Sequence, residues 1–133
     1  MHVGVCRFTI LITASHSLKE KRMVLRRVKD RARERGVAIA EVGGQDTWQR
    51  GDLAFSLVAG EREHAHEGCE RVLRQVAAIE GAQIAAAKIE VVGFGEDWYA
   101  DAAASGRAWE AKTEGPSEDD LSWVPEEWRR DGE

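Results

Sequence analysis

Five cations recur at intervals of three and four residues, starting shortly after the first apolar run of the chain. On an α-helix this spacing places side chains on one face. A row of cations on a rigid helix suits a nucleic-acid backbone, because each phosphate contact releases condensed counterions. The alternative is a solvated face whose long aliphatic stems cover the edge of the core. The five residues, called the basic stripe below, are Lys19, Arg22, Arg26, Lys29 and Arg33.

A second candidate site lies in the segment GGQDTWQRG, residues 43–51. Trp48 and Arg50 would suit a base or another aromatic ligand, because a ring face and a guanidinium both stack on planar groups. Trp48 could equally cover the end of the sheet, and Arg50 could pair with Asp46 or with Glu41. The possible loop site consists of Trp48, Gln49 and Arg50.

Residue types that form catalytic and metal centres are present, but their spacing matches no such centre. His64 and His66 are two positions apart on a predicted helix, so their side chains point apart. Neither Cys-x-x-Cys nor His-Glu-x-x-His occurs in the sequence. His16 could act as a base, yet no nucleophile can be paired with it. We therefore predict a protein that is not an enzyme and that uses no metal and no cofactor.

Composition favours a globular protein of the cytoplasm. Of the 133 residues, 43% are hydrophobic and 32% are charged, as in ordinary globular domains. Cys6 and Cys69 lie far apart in apolar patterns, which predicts two reduced thiols in the core. No apolar run approaches the roughly 20 residues that span a bilayer, and we identify no basic leader with a cleavage site. The sequence thus predicts a cytoplasmic location and no membrane partner.

Charge is distributed unevenly along the chain. Residues 1–95 contain 15 Lys and Arg against 12 Asp and Glu, whereas residues 96–133 contain 4 against 12. A mildly basic body is therefore followed by a strongly acidic segment. This segment also carries four of the five tryptophans, which a purely disordered tail rarely does. We predict a domain over residues 1–95 and a partly ordered acidic extension over residues 96–133.

The apolar periodicity alternates between that of strands and that of helices. Ser15 or Ser17 can cap the start of a helix, Ser17 with Glu20 three residues later fits a capping box, and Gly36 predicts the end of the helix. The order β-α-β-β-α-β is that of a ferredoxin-like α+β sandwich, in which one antiparallel sheet carries two helices on one face. The predicted strands cover residues 3–13, 37–42, 52–59 and 82–94, and the predicted helices cover residues 17–36 and about 61–80.

Strand alternation assigns residues to the two sheet faces. One face carries polar side chains together with Val5, Leu11 and Val58, so self-association as a dimer through this face or a sheet edge is a second hypothesis. Lys21 lies near the apolar side of the first helix, where we expect its ammonium to reach the rim; the alternative is a lysine held near the loop for a ligand. The face towards the helices is predicted to carry Cys6, Phe8, Ile10, Ile12, Leu53, Phe55 and Leu57, and the open face Arg7, Thr9, Ser56, Lys88 and Glu90.

Two segments, SHSLKEKR at residues 15–22 and EVGGQDTWQRG at residues 41–51, resemble those of the YlxP-like family of small bacterial proteins of unknown function. The resemblance covers about residues 3–94 and does not reach the acidic extension. It implies a ferredoxin-like fold. Because genes of this family often lie beside those for translation initiation and ribosome maturation factors, it also implies a role near RNA or the ribosome. It supplies no catalytic residue. We therefore expect a non-catalytic protein that binds RNA or the ribosome through the basic stripe.

Overall fold

The computed structural model describes residues 1–12, 17–44, 47, 49–106 and 109. The first six elements follow the order β-α-β-β-α-β, so the fold predicted from the alternating periods is confirmed. None of the described helices is long and apolar enough to cross a membrane. The strands are β1 (His2–Leu11), β2 (Ala38–Gly43), β3 (Arg50–Ala59) and β4 (Gln83–Gly93), and the helices are α1 (Leu18–Glu34), α2 (Arg62–Ala77) and α3 (Glu96–Ala104).

The four strands form one sheet in the order β2-β3-β1-β4, and every neighbouring pair is antiparallel. Strand β1 lies in the centre, where Phe8 is opposite Leu53 on β3 and Ala87 on β4. Its β-branched and aromatic residues suit a strand that is paired along both sides. Strands β2 and β4 are the two edges.

Both helices bury an apolar side against the same face of the sheet. Helix α1 is capped by Ser17, whose hydroxyl oxygen accepts a hydrogen bond from the backbone N–H of Glu20 at 3.2 Å, so the cap at Ser17 that the sequence predicts is confirmed. Gly36 has a φ of +78°, a left-handed value that favours glycine after a helix. The buried apolar residues of the helices are Leu25, Val28 and Ala32 on α1 and Ala65, Cys69, Val72 and Val76 on α2.

The core lies between this sheet face and the two helices. Phe8 and Phe55 pack there with ring centroids 6.0 Å apart in a tilted arrangement. Leu57 is only half-buried and packs at the edge of the core. Cys6 and Cys69 are free thiols inside the core. Burial raises the pKa of Cys6 to about 12, and the neighbouring Cys69 adds to that rise.

The opposite sheet face, called the open face below, carries exposed apolar side chains among the described residues, as the alternation of the strands predicts. Val5 and Leu11 on β1 and Val58 on β3 are exposed there. The bulge in the β2–β3 pairing lies between Glu41 and Gly43, and the extra residue, Val42, is also exposed.

The chain divides into two units, Met1–Trp98 and Tyr99–Glu133. In the first unit, the rings of Phe94 and Trp98 pack with centroids 5.2 Å apart. In the second unit, Tyr99 and Trp109 are exposed. The predicted partial order of the acidic extension concerns mainly residues 110–133, which lie outside the described residues.

Candidate nucleic-acid interface

The basic stripe lies on the side of α1 that borders the edge strand β2. Four of its five members line one groove of about 230 Å³ between this helix and the strand, called the basic groove below. The fifth, Lys19, is exposed in the first turn and is not part of the lining. Spacings of three and four residues place these side chains in a row because they match the helical turn. The residues that line the groove are Arg22, Leu25, Arg26, Lys29, Arg33 and Glu41.

The cations of the groove differ in their partners. Lys29 Nζ lies 2.8 Å from Glu41 Oε2, a half-buried ion pair that joins α1 to β2. Arg33 is 3.8 Å from Asp30 on the same helix, in an exposed pair that contributes little. Among the described residues, neither Arg22 nor Arg26 has a carboxylate oxygen within 4.0 Å. These two guanidinium groups are thus the strongest candidates to bind an anion.

The guanidinium groups of the basic groove have the chemistry that an anion requires. A guanidinium presents five N–H donors in a planar fork that matches phosphate oxygens. Arg22 and Arg26 are one helical turn apart, so both can face neighbouring phosphates of one strand.

Of the possible loop site, the structure describes Gln49 and Arg50, and neither lines the basic groove. Trp48 lies outside the described residues. The carbonyl oxygen of Gln49 accepts a hydrogen bond from the backbone N–H of Ile12 at 2.9 Å, which ties the end of the loop to β1. Arg50 is the first residue of β3 and points to the open sheet face, away from α1.

Arg50 pairs with Asp52 and not with Glu41, one of the two partners considered for it in the sequence. Its Nε and Nη2 atoms lie 3.3 and 3.2 Å from the carboxylate oxygens of Asp52. Arg50 and Asp52 are two residues apart on one strand, so their side chains share a sheet face. Glu41 forms an ion pair with Lys29 instead. Asp46 lies outside the described residues.

Lys21 is buried, so the expectation that its ammonium reaches the rim is wrong. Only 3% of its surface is exposed, and Nζ donates hydrogen bonds to the carbonyl oxygens of Gly44 and Thr47. The segment between β2 and β3 therefore supplies the acceptors that a buried ammonium requires. Sequence periodicity places Lys21 on the apolar side but cannot reveal acceptors that lie more than twenty residues away.

Asp52 is a buried carboxylate that the sequence analysis missed. It accepts a hydrogen bond of 2.6 Å from the hydroxyl of Thr9. This bond, the bonds from Arg50, and the charges of Arg50 and Arg7 hold its pKa below the usual range, although burial acts in the opposite direction. The sequence signal that could have revealed it is a carboxylate at the start of an apolar strand, preceded by glycines that let the neighbouring backbone approach the carboxylate closely. A Cβ at Gly43 would lie 3.0 Å from Asp52 Oδ2.

The fold and the site define a class of protein: an antiparallel α+β domain with two helices on one sheet face and a cationic groove at one edge. The chain belongs to the family described as Protein of unknown function (DUF503), whose model matches residues 3–89. It is 38% identical over 72 residues to the uncharacterized protein YlxP of Bacillus subtilis (strain 168). The aligned segment covers 53% of this chain and 78% of that protein. The YlxP-like membership expected from the two sequence segments is thereby confirmed.

Two solved structures are similar to this chain at low TM-scores. The de novo designed protein Foldit4 is similar with a TM-score of 0.44 and 10% identity, over 71% of this chain and all of that one. A mutant of SnoaB, a cofactor-independent oxygenase from Streptomyces nogalater, is similar with a TM-score of 0.38 and 11% identity, over 70% of this chain and 91% of that one. At these TM-scores neither similarity bears on function.

Proposed function

We propose that this chain is a non-catalytic cytoplasmic protein that binds RNA, free or within the ribosome, through the basic stripe of α1. The observation that carries the proposal is the pair of arginines, Arg22 and Arg26, which line the basic groove with no carboxylate partner among the described residues. A cation without a partner does not have to break an ion pair before it binds a phosphate.

Up to four members of the stripe are available for phosphates. Lys19, Arg22 and Arg26 have no ion pair among the described residues, and Arg33 has only a weak exposed pair. Lys29 is engaged by Glu41. Four contacts to duplex RNA would lower the affinity roughly a hundredfold between about 50 and about 200 mM salt. Binding would show little sequence selectivity, because phosphate contacts position a protein without reading bases.

The test is the salt dependence of binding to a duplex RNA. The double variant Arg22→Gln/Arg26→Gln should reduce the slope of log affinity against log salt by about two units. Glutamine keeps helix propensity, so the fold should be retained. The matched control is Arg27→Gln/Arg31→Gln, which removes two cations of the same helix from outside the stripe.

Three results bear on the proposal. Loss in the first variant with little change in the control supports a defined binding face. Equal losses in both variants would show a diffuse charge effect and overturn the defined face. Binding that is insensitive to salt and survives the first variant would show that the stripe is only a solvated surface.

Self-association is the second candidate function. The observation in its favour is an open sheet face with a row of exposed apolar side chains, together with two edge strands that have one neighbour each within the described part of the chain. The exposed apolar side chains of this face are Val5, Leu11, Val58 and Val92.

A further inference from the structure

The two edges of the sheet carry grooves of opposite charge. The basic groove lies between α1 and β2, and α1 contributes four cations to it and no carboxylate. At the other edge, a groove of about 860 Å³ lies between α2 and residues 89–91 of β4. Helix α2 contributes three carboxylates, one guanidinium and one imidazole to this second groove, called the acidic groove below. The three carboxylates are Glu63, Glu67 and Glu70.

Much of this charge is not neutralised within the described part of the molecule. Glu70 lies 2.8 Å from His66 and 3.5 Å from Arg74. Glu63 and Glu67 are exposed and have no ion-pair partner among the described residues. Glu63 and Glu67 at the acidic edge thus correspond to Arg22 and Arg26 at the basic edge. Both pairs are exposed charges without an ion-pair partner among the described residues.

We propose that copies of this chain associate head to tail, with the β2 edge and basic groove of one copy against the β4 edge and acidic groove of the next. The partner is therefore a second copy of the same chain. The proposal rests on the second candidate function, self-association, and specifies its surfaces. It does not require that the protein binds RNA.

The strand directions permit this contact without distortion. Because each neighbouring pair is antiparallel across the order β2-β3-β1-β4, strands β2 and β4 run in opposite directions. A copy moved sideways by translation therefore presents β4 antiparallel to β2, with the helices of both copies on the same side. Backbone hydrogen bonds could then continue the sheet from one copy to the next, as in strand addition at an exposed edge.

The two grooves lie at neighbouring heights along the strands, because Glu41 is level with Ala87 and so about two residues, or roughly 7 Å, from Ile89. Ile39 on β2 is opposite Phe55 on β3. Phe55 is opposite Cys6 on β1, and Cys6 is opposite Ile89 on β4. Ile89 lines the acidic groove, and Glu41, two residues from Ile39, lines the basic groove. Translation of a copy therefore brings the basic side of α1 beside the acidic side of α2.

Charge selects this pairing over the symmetric alternatives. A twofold contact between two β2 edges would bring two basic stripes together, and one between two β4 edges would bring two acidic sides together. Like charges that face each other across an interface oppose association. A contact between unlike edges leaves one free edge at each end of the assembly. It therefore forms a ring if the rotation between neighbouring copies closes, and an open chain if it does not.

The test uses charge reversal at each edge of the full chain. The variant Arg22→Glu/Arg26→Glu reverses the basic groove, and Glu63→Lys/Glu67→Lys reverses the acidic groove. Sedimentation velocity of the parent chain should show species larger than the protomer at high protein concentration. Each variant alone should sediment as a protomer because its two edges then carry the same sign. An equimolar mixture of the two variants should recover the larger species, since their edges are again complementary.

Circular dichroism establishes that each variant keeps its helices; if one does not, the single changes Arg26→Glu and Glu67→Lys replace the pairs. Recovery in the mixture supports the proposal, because a general loss of stability could not produce it. If the parent chain assembles and each variant alone also assembles, the edge contact is overturned, although self-association stands. Disassembly by Val58→Glu would then place the interface on the open face. A parent chain that remains a protomer at about millimolar concentration would overturn self-association itself.

Discussion

The hydroxyl of Thr9 on β1 donates a hydrogen bond of 2.6 Å to Oδ1 of Asp52 on β3, on the sheet face opposite to α1 and α2. The same carboxylate accepts from the guanidinium of Arg50 at 3.2 and 3.3 Å. These contacts lower the pKa of Asp52 more than burial raises it. The two central strands are therefore joined by a charged side-chain contact in addition to their backbone ladder.

The first prediction concerns the stability of the fold in acid. Because the folded-state pKa of Asp52 is lowered, its contribution is present above the unfolded-state pKa of about 3.9 and is lost as the pH falls through the folded-state value. Thr9→Val removes the largest cause of the lowered pKa. We expect unfolding free energy at neutral pH to fall by about 1.5–3 kcal/mol, and the acid-unfolding midpoint to move to higher pH. Ser56→Ala, on the same sheet face, is the control. An unchanged acid midpoint in Thr9→Val would contradict this role of the bond.

The second prediction concerns the buried ammonium of Lys21. Lys21→Met keeps an unbranched side chain but leaves the carbonyl oxygens of Gly44 and Thr47 without this donor. Gly44 is half-buried and Thr47 is exposed, so water can replace part of what the two acceptors lose, and chemical denaturation should show a total loss of about 1–3 kcal/mol. Lys19→Met, two residues away and exposed, should change stability by no more than about 0.5 kcal/mol. Equal effects of the two changes would argue against a structural role for the ammonium.

The third prediction concerns the reactivity of the thiols. Burial raises the pKa of Cys6 to about 12 and also raises that of Cys69, so neither thiol forms the reactive thiolate at neutral pH. A thiol reagent should label the native chain only as fast as it opens, and should label both cysteines at once in denaturant. As a positive control, Val58→Cys introduces a thiol at a position that is 67% exposed, which should react immediately. Rapid labelling of the unaltered native chain would show that the core is more open than the structure describes.

The fourth prediction concerns the ion pair between Lys29 and Glu41. Glu41→Gln removes a negative charge from the basic groove and releases the ammonium of Lys29. If the groove binds RNA, affinity at low salt should rise, and the salt slope should become steeper by about one unit. Glu34→Gln is the matched control, because Glu34 pairs with Arg31 outside the stripe. A change of equal size in both variants would indicate that only the net charge matters.

The fold could be predicted from the sequence because the helix cap and the apolar periodicity of each element agree with its structure. Ser17 caps α1, and the row from Cys6 to Ile12 alternates with the exposed residues of β1, so pattern and structure agree. The basic stripe was also predictable, since it depends only on the helical period. That four of its members line one groove was not, because the opposite wall is formed by Glu41 on β2.

The features that the sequence could not supply depend on contacts between distant segments. Lys21 was misplaced because its acceptors, Gly44 and Thr47, belong to a different part of the chain. Asp52 was missed because a carboxylate at the start of a strand has an ordinary appearance until Thr9 is known to lie opposite it. Periodicity reports which side of an element is apolar, but it does not report which polar groups meet inside.

The central position of β1 determines when the domain can be completed during synthesis. Leu11 lies opposite Gln83 and His2 lies opposite Gly93 on β4, so β1, the first of the four strands to be made, gains its second neighbour along its whole length only after residue 93 has been made. Pairings between such distant residues are slow to form because the entropy of closing the intervening chain is lost first. We therefore expect a nascent chain that ends before β4 to leave one edge of its most apolar strand unpaired, and this intermediate to be the species most prone to aggregation.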